Sequence, residues 1–149
     1  MTEIGFYHLV ATPLEKALPK LLEKVLGSGA RAVVLAGSPE RVEALNGLLW
    51  TYAPNGFLPH GSAKDGKAER QPIWLTAQDE NPNGASILVL TDGATAASLP
   101  SYARCLDVFD GADETAVADA RQRWKTYKDA GHVLTYWQQT ESGGWERKN

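Results

Sequence analysis

A continuous apolar run of strand length, Ile4–Val10 (IGFYHLV), is followed at once by apolar residues at helical spacing: Leu14, Leu18, Leu21, Leu22 and Val25. The same pair then recurs as Ala32–Ala36 (AVVLA) followed by Val42, Leu45, Leu48 and Leu49. A strand with no inside/outside alternation must be buried on both faces. A helix between two such strands returns the chain so that they lie parallel. The repeat therefore predicts an α/β fold with a mostly parallel sheet covered on both faces.

Local punctuation supports this division. Thr12-Pro13-Leu14-Glu15 reads as a helix start, with Thr12 as N-cap, Pro13 where its missing N–H costs nothing, and Glu15 completing a capping box; Gly27 reads as the C-cap. Ser38-Pro39 opens the second helix, which is expected to end near Trp50, before Pro54. Further strands are expected at Phe57–Pro59, Pro72–Thr76, Ile87–Leu90 and Cys105–Phe109. A last helix is expected over Asp113–Ala130, closed by Gly131, with a final strand at His132–Gln138.

The chain has 149 residues, 43% of them hydrophobic, and no low-complexity linker divides it, so residues 1–139 are read as one domain. Thr140–Asn149 (TESGGWERKN) reads as a loose tail, with Trp145 outside the core. A net charge of −3 argues against a chain that wraps a phosphate backbone, so no tight direct nucleic-acid binding is expected. Without a basic leader or an apolar run near the roughly 18 residues of a membrane span, a cytoplasmic protein with no membrane contact is expected.

Candidate chemistry is sparse. Cys105, the one cysteine, sits in the run RCLDVF and reads as a buried small hydrophobe. His8, His60 and His132 lie in separate segments without metal-ligand spacing, so neither a metal nor a cofactor is expected. Gly61–Ala68 (GSAKDGKA) matches a phosphate-binding loop except at its last position, where Ala68 replaces the hydroxyl residue that ligates magnesium. The genuine motif also runs into a helix, whereas Glu69-Arg70-Gln71-Pro72 leads toward an apolar run. Ile87–Asp92 (ILVLTD) resembles the strand and acid of the same enzyme class, although Asp92-Gly93 also suits a turn. A nucleotide-binding enzyme using the Gly61–Ala68 loop and Asp92 is thus the alternative to a chain with no catalytic site.

The last helix is more informative. Arg121, Lys125 and Lys128 stand at i, i+4 and i+7, one cationic face with Val117 and Trp124 beside it. Such a face suits a ligand carrying carboxylates and an apolar or aromatic anchor. It equally suits a solvated helix surface with Trp124 turned into the core. Trp50, Tyr52 and Phe57 crowd the exit of the second helix beside an Ala-Pro-Asn-Gly loop, as a protein-binding patch or as ordinary core.

Several segments in order resemble one family. They are FYHL (6–9), LWTY (49–52), GFLPH (56–60), QPIWL (71–75), NPNGA (81–85) and ARQRWKTYK (120–128), and together they are similar to the chi subunit of bacterial DNA polymerase III. The resemblance implies a three-layer α/β/α, Rossmann-like fold without enzyme activity, carried in the clamp-loader assembly. It further implies binding of the acidic C-terminal tail of the single-stranded-DNA-binding protein, which ends in phenylalanine. Arg121 and Lys125 match the family's basic positions and Trp124 an aromatic one, and Val117 and Lys128 complete the expected tail site. Trp50 and Phe57, with Pro59, match positions that form the groove for the psi subunit, the bridge to the clamp loader.

Overall fold

In the computed structural model, which describes residues 2–53 and 56–149, the chain begins with β1 (Glu3–Leu9), α1 (Leu14–Gly27), β2 (Ala32–Leu35) and α2 (Pro39–Thr51). It continues through β3 (His60–Ser62), β4 (Ile73–Thr76), β5 (Ile87–Leu90), β6 (Arg104–Asp110), α3 (Glu114–Asp129), β7 (Val133–Gln139) and β8 (Trp145–Arg147). Among the described residues the strands form one sheet in the order β3-β4-β2-β5-β6-β1-β7-β8. Every neighbouring pair is parallel except β7 with β8.

The period of two assigns each strand residue to a layer. Leu9, Val34, Leu75, Val89 and Val108 face α1 and α2, where Leu18, Leu22, Val42, Leu45 and Leu49 cover them. Phe6, Leu35, Trp74, Leu90, Cys105 and Phe109 face the other way, against α3 through Ala120 and against Leu99 and Tyr102. The result is the expected three-layer α/β/α fold. β2, β4 and β5 are buried at every position, which explains why their sequences show no alternation.

Four local expectations need correction. Thr12 does not cap α1: Pro13 stands at the N-cap, and the Thr12 hydroxyl accepts from Gln139 Nε2 at 2.8 Å. The Gln139 carbonyl oxygen in turn accepts from the backbone N–H of Val10, Ala11 and Thr12 at 3.1, 2.8 and 3.0 Å. The turn before α1 is thus satisfied by a side chain from the far end of the chain. Gly27 belongs to α1, and the left-handed residue that ends it is Gly29, at φ 82°.

Phe57–Pro59 is not a strand; pairing starts one residue after Pro59, which has no N–H to give a ladder. Pro54 and Asn55, in the loop expected to be irregular, lie outside the described residues. Finally, the segment expected to trail loosely carries β8. Thr140 N–H donates to the Gly144 carbonyl at 2.8 Å, Gly143 takes φ 92°, and Trp145–Arg147 pairs back along Trp137–Gln139. Gly143 supplies the left-handed conformation a tight hairpin requires. Trp145 packs edge-on to Tyr7 with ring centroids 5.0 Å apart and so joins the core margin.

Candidate partner-binding surfaces

Asp113 caps α3 by accepting from Thr115 and Ala116 backbone N–H at 2.9 and 3.2 Å, which fixes the register of the helix on the sheet. Ala120 points straight down and is buried, while Val117, Trp124 and Tyr127 are half-buried along the same contact line. The four cations of the helix then separate into two roles. Arg123 turns inward and grips Asp107 of β6 with two charge-assisted bonds of 2.7 and 2.9 Å. Arg121, Lys125 and Lys128 are exposed. Among the described residues the cations in salt bridges are Arg41, Arg123 and Lys148, so the exposed three are unpaired there.

Trp124 combines the two readings of the sequence. Its ring packs edge-on to Phe6 at 5.3 Å and to Tyr136 at 5.9 Å, yet it keeps part of its surface in solvent beside Arg121. Tyr136 joins Trp124 to His8, whose Nδ1 lies 2.5 Å from the Tyr136 hydroxyl. Phe109 packs 5.0 Å from the His8 ring and 6.2 Å from Tyr136. Burial and then the Arg121 charge push the His8 pKa down, with Asp110 opposing them. Burial pushes the Tyr136 phenol up, against Arg121. Sequence spacing weighs His8 only as a metal ligand and does not connect it to this face; the available signal is its parity with Phe6 on β1.

The second expected surface lies in the other helical layer. Trp50, at the end of α2, is 51% exposed, and Phe57 is 68% exposed, with ring centroids 6.2 Å apart. Trp50 also lies 4.4 Å from the buried His60 ring, and Pro59 is half-buried next to it. These aromatics form an exposed patch, whereas Tyr52 turns away to donate to Glu23 at 2.8 Å.

The Gly61–Ala68 loop and Asp92 are not brought together. β4 and β2 separate β3 from β5, a span of about 14 Å at the usual strand spacing. Three of the loop's N–H groups bond within it: Ser62 donates to Asp65 Oδ2 at 3.0 Å, and Asp65 and Gly66 donate to the Ser62 carbonyl. The loop leads into a single 3-10 turn, Ala68–Arg70, in place of a phosphate-binding helix. Asp92 takes φ 56° and Gly93 φ 75°, a tight turn, and the Asp92 carboxylate accepts from Gly37 N–H and from Arg41. Cys105 is buried, and burial pushes its thiol well above the ordinary range.

The sequence profile described as "DNA polymerase III chi subunit, HolC" matches residues 1–135, which include both surfaces. The chain belongs to this family. A relative in Rickettsia prowazekii, named probable DNA polymerase III subunit chi, is 35% identical over 109 residues, which is 73% of this chain and 66% of that protein. The DNA polymerase III subunit chi of Pseudomonas aeruginosa is 23% identical over 138 residues, 90% of this chain and 94% of that one. The chain thus spans just under two thirds of the Rickettsia chi protein and nearly all of the Pseudomonas one. Membership in the chi family places the chain among proteins named as subunits of DNA polymerase III. No helix among the described residues is long and apolar enough to cross a membrane.

Proposed function

We propose that the chain is an adaptor of DNA polymerase III that binds the acidic C-terminal tail of the single-stranded-DNA-binding protein on α3 and a clamp-loader subunit, psi where present, on the Trp50–Phe57 patch. It holds these partners without chemistry of its own. The observation that carries the first half is the exposed trio Arg121, Lys125 and Lys128, unpaired among the described residues and flanked by the half-buried Val117 and Trp124. Cations standing one turn apart can pair successive carboxylates, and the adjacent apolar margin can take an aromatic terminus. Two surfaces on opposite helical layers allow both partners to bind at once, so each raises the local concentration of the other.

The test is a calorimetric titration with an acidic peptide ending in Pro-Phe, beside the same peptide amidated at its C-terminus. The free acid should bind, the amide should bind at least about tenfold more weakly, roughly 1.4 kcal/mol, and Arg121→Glu should lower affinity without unfolding the domain. Added salt should weaken binding. Equal affinity of Arg121→Glu and the parent for the free acid would remove α3 as the tail site.

A further inference from the structure

We propose that His8 is a proton-linked determinant of the α3 site: it takes up a proton when an anionic peptide docks beside Arg121, so that docking is stronger in mild acid than at neutral pH. The inference rests on the proposed tail site and adds its regulation. His8 extends from β1 on the α3 side of the sheet, where Phe109 packs at 5.0 Å and the Tyr136 hydroxyl lies 2.5 Å from Nδ1. A Cβ on Gly111 would overlap both Cδ2 and Nε2 of the ring, so the opposite edge of the imidazole rests directly on that glycine. The ring is therefore held in one place, and through Tyr136 and Trp124 it stands one side chain removed from the proposed peptide surface.

Among the described residues three ionisable groups face His8: Arg121 from α3, Asp110 from the end of β6, and the phenol of Tyr136 from β7. On its own strand, Glu3 and Tyr7 point to the other face of the sheet by their parity with Gly5. Burial and Arg121 together disfavour the imidazolium, and Asp110 favours it. A carboxylate brought onto Arg121 cancels the repulsion, which raises the His8 pKa in the complex above its value in the free protein. Tyr136 can accommodate both states. Its O–H donates to a neutral Nδ1, and its oxygen accepts from a protonated one, which frees the phenol O–H for another acceptor.

A pKa higher in the complex means that binding takes up protons, so affinity rises as pH falls through the complex's pKa and levels off below the free protein's pKa. The free value lies below the ordinary His value of 6.5, which places the window in mild acid. Peptide carboxylates titrate near 4 and stay charged across most of it. The expected gain at the acid plateau is about two- to threefold tighter binding.

The probe is an acetylated, aspartate-rich peptide ending in Pro-Phe with a free carboxylate, titrated calorimetrically between about pH 5.5 and 7.5 in two buffers of different ionisation enthalpy. The parent should bind about two- to threefold more tightly at the acid end and take up a fraction of a proton. His8→Leu should bind within about twofold of the parent at the neutral end and lose the pH dependence. In parallel, NMR titration of the His8 ring protons in the parent should show a higher midpoint with peptide bound than without. A flat pH profile, a midpoint unchanged or lowered by the peptide, or undiminished proton uptake in His8→Leu would overturn the inference and leave the tail site standing. Absence of binding at every pH would overturn both. The NMR titration decides the matter even if His8→Leu fails to fold.

Discussion

Replacing Arg123 by methionine removes the two hydrogen bonds, 2.7 and 2.9 Å long, that satisfy an Asp107 carboxylate whose side chain is 2% exposed. Methionine keeps much of the apolar stem, so the change isolates the charge. An uncompensated carboxylate in such surroundings costs roughly 3–5 kcal/mol, against about 5–15 kcal/mol holding a whole domain. At roughly 3 °C per kcal/mol for a chain of this size, Tm should fall by about 9–15 °C. Burial already raises the Asp107 carboxyl above its ordinary range, with Arg123 opposing. Without Arg123 it rises further, so the folded variant holds a proton that the unfolded chain releases. A raised carboxyl favours the folded state at low pH and loses that advantage as pH climbs through the raised value. The deficit should therefore be smaller at about pH 5 than at about pH 7.5 in thermal unfolding followed by circular dichroism. Arg123→Met with Asp107→Leu should recover most of the loss, while Arg121→Met should stay within about 0.5 kcal/mol of the parent. A single Arg123→Met variant within about 1 kcal/mol of the parent, or a deficit that grows on acidification, would refute the reasoning.

Cys105 should resist a thiol-specific reagent in the native protein and react in full once the chain is denatured, because it is buried and its thiolate is disfavoured; rapid native labelling would contradict that placement. Gly111→Ala should destabilise by about 1–3 kcal/mol in chemical denaturation, since the new methyl would collide with the His8 ring and the Leu9 carbonyl oxygen. Paired Trp50→Ala and Phe57→Ala should change stability by less than about 1 kcal/mol, abolish capture of a psi-type partner and leave the tail-peptide titration unchanged; a parallel loss of peptide binding would show that the two surfaces are not independent.

The architecture was legible because its cause is local. Unbroken runs such as AVVLA and ILVL suit only strands buried on both faces, and Ser38-Pro39 does open α2, with Ser38 Oγ accepting from Arg41 N–H at 3.2 Å. What escaped depends on meetings between distant segments. Asp107 reads as one acid within an apolar run, and nothing local shows that Arg123 closes over it while Arg121, two residues earlier, faces solvent. Helical spacing sets Arg123 apart from the face of Arg121, Lys125 and Lys128, but it does not supply the carboxylate that Arg123 meets. His8 and Tyr136 are 128 residues apart and meet because β1 and β7 are neighbours. Thr12 misled because its N-cap signature is genuine, and Gln139 supplies a competing partner that no local rule anticipates.

The position of β1 has a consequence for how the chain is made. Glu3 stands opposite Arg104 on one side and Val133 on the other, so during synthesis one edge of β1 waits for β6 and the other for β7. β2, β4 and β5 can join as soon as Leu90 has emerged, and α2 can close over them. Throughout that interval Ile4, Phe6 and Leu9 remain without their sheet neighbours, and the loop at Val10–Thr12 lacks the glutamine that satisfies it. A ribosome stalled before Arg104 thus presents a half-built sheet beside an unpaired, apolar β1, the kind of nascent chain that a holding chaperone recognises.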